Sequence, residues 1–190
     1  MRHRMLALAT LLAAGLMTAG ALAAKPLEHL TAFAVDMSNL AGRTRAGTID
    51  IIIDRWSTPE ERDTLVAALK EGGTDGLLRA LQKIKKPAGY IRNPGSVGYP
   101  LRFAWQVPTP DGGKRIIIAT DRPVSFLEAS TQPRTMDYPF MLVDVRLGPD
   151  GKGQGKLLPL AKIDVNEDHV VEIENYASEP VRLTEVRETE

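Results

Sequence analysis

Apolar and polar residues alternate along most of the chain at a period of two, with one stretch at helical period. The alternation is clearest from Thr48 to Trp56. Ile49, Ile51 and Ile53 fall on one face, and Thr48, Asp50 and Asp54 on the other, as in a half-buried strand. Branching at Cβ favours the extended backbone there as well. Leu101, Phe103, Trp105 and Val107 alternate with Arg102, Ala104 and Gln106, which predicts a strand with one wet face. Met141, Val143, Val145 and Leu147 form a similar stripe within 140–147. Further strands are expected at 30–36, 90–92, 114–120, 156–165, 170–175 and 181–186. Turn-forming strings separate them: Asn93 to Gly98, Asp111-Gly112-Gly113, Gly148 to Gly151 and Asn166-Glu167-Asp168. Glycine supplies positive φ in such turns and proline a fixed one. Ser38–Gly47 and Asp150–Gly155 read as loops.

The helical stretch begins at Thr58, a good N-cap, followed by Pro59 at the first helical position and Glu61 completing a capping box. Leu65, Val66 and Leu69 recur on one face, and Gly72-Gly73 offers a stop. Leu77, Leu78, Leu81 and Ile84 then predict a second short helix from about Thr74, ended by Pro87, with Lys83, Lys85 and Lys86 favourably placed for the helix dipole. The pattern is a helical hairpin at about 58–86, inserted after the second strand. It would cover one sheet face or close one end of a barrel. With about eight or nine short strands and a single helical insertion, repeated parallel crossovers are excluded. The expected fold is mainly β: an antiparallel barrel or sandwich with one inserted helical hairpin.

The first residues read as an export signal. Arg2 and Arg4 precede the apolar run Met5–Met17, and Ala21-Leu22-Ala23 fits a signal-peptidase site. The run is shorter than the ~20 residues that span a bilayer, so no transmembrane anchor is expected. Cleavage after Ala23 leaves residues 24–190 as one β-rich domain, periplasmic or secreted.

Composition narrows the chemistry. Lys and Arg total 24 against 24 Asp and Glu, so the charge gives no reason to expect nucleic acid as a partner. The absence of cysteine excludes disulfides, thiolate metal sites and a cysteine nucleophile. After the leader only His29 and His169 remain, too few for a histidine zinc site. Asp164-Val165-Asn166-Glu167-Asp168 starts with calcium-loop spacing but continues with His169 where glycine is needed and has Asn175 in place of the bidentate glutamate. Phosphate-binding, dinucleotide and Gly-x-Ser-x-Gly motifs are absent, and no cofactor is expected.

Several strings taken together carry a resemblance: Asp54-Arg55-Trp56-Ser57-Thr58, Gly89 to Pro94, Ile118 to Pro123, Asp137-Tyr138-Pro139-Phe140 and Glu174-Asn175-Tyr176. They resemble a family of secreted bacterial proteins of uncharacterised function. The resemblance implies a single exported domain and assigns no catalytic residue.

The candidate site is the set Arg55, Trp56, Arg92, Trp105, Asp121 and Arg122, all at expected strand ends or beside loops. If those ends converge, arginine would hold an anionic group and tryptophan would give apolar contact area. The alternative is a buried tryptophan and an Arg–Asp pair that close the end of the core. Three functions are compatible with these residues. One is a non-catalytic module carrying a small apolar or amphipathic ligand in a barrel cavity. Another is a protein-interaction or inhibitor domain using a loop or strand edge, with 93–98 the first suspect and a filled core expected. The third is a hydrolase pairing two of Asp36, Asp50, Asp54, Glu128 and Asp144.

Overall fold

A computed structural model describes residues 26–36, 45–122, 140–159, 161–165, 171–175 and 181–189. The expected leader 1–23, Glu128, Tyr138, the expected turn at 166–168 and His169 lie outside them. The strands are β1 (Glu28–Asp36), β2 (Arg45–Ile53), β3 (Gly89–Arg92), β4 (Tyr99–Pro108), β5 (Lys114–Thr120), β6 (Met141–Leu147), β7 (Lys152–Pro159), β8 (Ala161–Val165), β9 (Val171–Asn175) and β10 (Val181–Glu188), with one helix, α1 (Pro59–Lys83). Eight strands close into a barrel in the order β1-β10-β7-β6-β5-β4-β3-β2, every neighbouring pair antiparallel. The remaining pair, β8 and β9, forms a separate two-stranded sheet beside α1.

The lumen is packed with the chain's own side chains. Leu30, Ile51, Ile53, Leu101, Ile116, Ile118, Val143, Val145 and Leu183 are fully enclosed. They come from opposite walls and meet in one cluster, as expected for a barrel of about eight strands, whose interior side chains just fill. The outward positions are largely polar, for example Asp50, Arg115, Asp144, Arg146 and Lys156. That is the reverse of a lipid-facing barrel wall, which is apolar outside and polar within. No helix among the described residues is long and apolar enough to cross a membrane.

A second apolar cluster lies outside the wall. Leu65, Leu69, Leu77 and Leu81 of α1 pack on Ala119, Phe140, Leu142 and Leu158, with Phe103 at the margin. The register explains the footprint: Phe103 pairs with Ala119, Ala119 with Leu142, and Leu142 with Leu158. One transverse apolar row therefore crosses β4 to β7, and the leucine face of the helix covers it.

Two expectations are corrected and one is met in part. The helical stretch expected as a hairpin at 58–86 is one helical element, Pro59–Lys83, broken at the expected Gly72-Gly73 position by Gly73 at φ 56°, ψ −149°, a conformation open essentially to glycine. The element bends sharply there. A Cβ at Gly76 would overlap the carbonyl oxygen of Ala68, whereas residues eight apart in a straight helix are separated by ~12 Å. The 150–155 segment, expected as a loop, supplies the first half of β7, and the expected 156–165 strand is divided between β7 and β8. The single stripe Leu101, Phe103, Trp105, Val107 is broken by a register shift between Leu101 and Phe103. One extra residue reverses which face the chain presents, so Leu101 and Ala104 stay inside while Phe103 joins the cluster beneath the helix.

Candidate functional site

The six candidate residues divide between two regions. The first is the junction from β2 into α1. Arg55 donates from Nη1 and Nη2 to Glu61 Oε2 and Oε1 at 2.8 and 2.9 Å, and to the Lys86 carbonyl at 2.6 Å. Glu61 Oε2 also accepts from the Thr58 amide at 3.0 Å, and the Glu61 amide donates to Thr58 Oγ1 at 3.2 Å, which completes the capping box read from the sequence. Ser57, though buried, is satisfied: its hydroxyl accepts from the Ala104 amide at 3.2 Å, and its own amide donates to the Ala104 carbonyl at 2.8 Å. This anchoring sets half-buried Trp56 against the lumen core. Trp105 lies farther along the outer wall, stacked on Phe103 at 6.4 Å and covered by the Arg62 guanidinium at 5.6 Å. Arg55 and Trp56 thus close and anchor the structure.

Hydrogen bonding to Arg55 is the main reason the Glu61 carboxyl is held below its usual range. A carboxyl depressed in the fold stabilises above its unfolded pKa, and the contribution is lost as pH falls through the folded one. Glu61→Gln retains capping capacity but loses the charge pair. It is expected to lower stability by about 1–2 kcal/mol at neutral pH, with the gap to wild type narrowing as pH falls below the unfolded carboxyl value of about 4.3 and through the lowered folded one. Urea unfolding across that range measures this; a gap independent of pH would refute the assignment.

The second region surrounds the β3–β4 loop. Asn93 to Ser96 form a tight turn in which the Ser96 amide and hydroxyl both donate to the Asn93 carbonyl, at 3.0 and 2.9 Å. Pro94 followed by Gly95 at φ 82° is the type II pattern. Gly98, at φ 85°, returns the chain to β4. Val97 stands between them, 98% exposed. Arg92 lies over the Tyr90 ring at 5.4 Å, and Arg122 over the Tyr99 ring at 5.5 Å. Arg92 Nε also meets Asp50 Oδ2 at 3.4 Å, and His29 Nε2 lies 3.8 Å from the same carboxylate. Asp121 is paired with Arg102 at 3.0 Å, and Arg102 donates to the Ile84 carbonyl at 3.0 Å beyond the end of α1.

A third cluster was not legible in the sequence. Lys114 Nζ donates to Glu28 Oε1 at 2.6 Å and to Glu188 Oε1 at 3.3 Å. In the ring order β5 stands opposite β1 and beside neither β1 nor β10. These side chains therefore form a crossbar over the mouth of the barrel. Burial, followed by the neighbouring Glu188 carboxyl, pushes Glu28 above its usual value although Lys114 pulls it down. Burial disfavours the Lys114 ammonium, but the hydrogen bond to Glu28 and the charges of both glutamates outweigh it and raise its pKa. The directions are compatible because one ammonium serves two carboxyls.

Of the carboxylates considered for hydrolysis, Asp50 faces Arg92, and Asp144 is held by Arg115 through two hydrogen bonds of 2.8 Å. They stand on separate walls, β2 and β6. Among the described residues no three His, Asp or Glu side chains group as metal ligands.

Among the described residues, fold and site together define a closed, up-and-down, eight-stranded barrel with a filled lumen and one external helical element. No family model, curated protein or solved structure matches the chain.

Proposed function

We propose that the protein is an exported, non-catalytic interaction module that contacts a protein partner through the β3–β4 loop. The observation that carries this reading is Val97, a β-branched apolar side chain left 98% exposed at the tip of a hydrogen-bonded turn. The Arg92–Tyr90 and Arg122–Tyr99 stacks flank it. Arginine and tyrosine are enriched among residues that dominate binding energy, and a preformed turn loses little entropy on docking. The export pattern at 1–23 supports an envelope or extracellular partner. Carriage of a small apolar ligand draws less support, because side chains from opposite walls meet in the lumen and a crossbar spans one mouth.

Val97→Asp tests the proposal. Nothing is packed on Val97, so the melting temperature should stay within the small range of ordinary surface substitutions. Quantitative cross-linking in native envelope extract should yield a stoichiometric partner for the wild type and recover it about tenfold less for the variant. Equal recovery, or no stoichiometric partner for the wild type, would overturn the reading.

A further inference from the structure

Below the footprint of α1, the outer wall of β6, β7 and β10 forms an open depression of about 730 Å³. Its polar lining comprises Asp144, Arg146, Gln154, Lys156, Arg182 and Thr184. The register orders them in two transverse rows. Asp144 pairs with Lys156, and Lys156 with Arg182. Arg115 pairs with Arg146, and Arg146 with Gln154. On the next strand Thr184 follows, paired with Phe33, whose ring is exposed. Asp144, the only carboxylate among the described lining residues, already receives both hydrogen bonds of Arg115. Arg146 and Lys156 have no ion-pair partner among the described residues, and both are exposed. Among the described residues the depression therefore presents two exposed cations without a counter-charge, although the whole chain carries no net formal charge.

We infer that this depression binds a linear acidic polysaccharide, its carboxylates held by Arg146 and Lys156. Charge complementarity selects an anion. The remaining lining selects its kind: the Gln154 amide and Thr184 hydroxyl suit the hydroxyls of a sugar chain, and the Phe33 ring at the end of the row offers an apolar face to a sugar ring. An acidic peptide fits less well. Peptides commonly satisfy their backbone by adding to an exposed strand edge, and this closed barrel offers none. A lipid surface is flat, whereas this wall is concave.

Polygalacturonate is the probe, with dextran as its neutral counterpart and poly-glutamate as the peptide polyanion. Calorimetry on the intact protein should show saturable binding of polygalacturonate that weakens with added salt, no binding of dextran, and weaker binding of poly-glutamate per charge. Arg146→Glu with Lys156→Glu should reduce polygalacturonate affinity by about tenfold or more. Arg146→Gln with Lys156→Gln should cause a smaller reduction and serves if the reversed pair fails to fold. Amide resonances of β6, β7 and β10 should shift on binding, and those of 93–98 should not. Absent binding, equal binding by a folded variant, or a preference for poly-glutamate would overturn the inference. Val97→Asp leaves this surface intact, so either proposal can fail without the other.

Discussion

Gly153→Ala is expected to destabilise the protein by about 3 kcal/mol, the upper end of ordinary overpacking. Gly153 pairs with Leu147 on β6 and Val186 on β10, and both partners are buried in the lumen cluster. A Cβ at 153 would overlap the carbonyl oxygen of Arg146, and Arg146 C would also be too close, at 2.8 Å. These are backbone atoms, so no side chain can rotate away, and β6 and β7 would have to separate. Gly112→Ala is the comparison. Its φ of 82° strains alanine, but nothing lies within 4 Å of the added carbon, so only about 1–2 kcal/mol should be lost. Denaturant titration of both variants separates crowding from backbone strain. Similar losses at the two sites would refute the crowding argument.

Lys114→Met should also cost about 3 kcal/mol near pH 8, since removing one partner strands a buried charge. The loss should depend on pH in a definite sense. Without the ammonium, the folded pKa of Glu28, already raised by burial and by Glu188, rises further above its unfolded value. A carboxyl of that kind contributes its full stability only below the unfolded pKa and loses it as pH rises through the folded one. The variant should therefore approach wild-type stability towards pH ~4 and fall away above it. Adding Glu28→Gln should recover much of the loss at pH ~8. A deficit that is constant with pH, or that grows in acid, would show that the crossbar is not acting through charge.

The strands were largely legible because their signal is local. β5 and β6 fall where period-two alternation places them. β2 keeps the Ile49, Ile51 and Ile53 face but runs from Arg45 to Ile53, starting inside the expected 38–47 loop and stopping before Trp56. The cap at Thr58 follows from its own side chain and that of Glu61. Register was not legible. The insertion between Leu101 and Phe103 leaves no mark in the pattern, yet it decides whether two aromatic rings fill the lumen or sit under a helix. The shift between Leu183 and Val186 is equally silent, although it places Glu185 at φ 51°. Gly153 and Gly155 look like a flexible loop in sequence, because composition does not distinguish glycine needed for turning from glycine needed for close approach. For the candidate site, reading residues near strand ends was sound for each residue alone. It did not say which end, so Arg55 and Arg92 were grouped although the fold separates them. Lys114, Glu28 and Glu188 were missed because nothing short of the ring order brings the two termini of the domain opposite β5.

The pairing of β1 with β10 sets the order of events during folding. Phe33 and Thr184, joined by a hydrogen bond, are 151 residues apart, and the seam they belong to cannot form until the last strand exists. Closing so large a loop is entropically costly before any contact compensates it. A chain in which β1 to β7 had paired before β10 docked would present two bare flanks, each a template for pairing with another molecule. The docking of β10 is therefore the step that removes both edges at once.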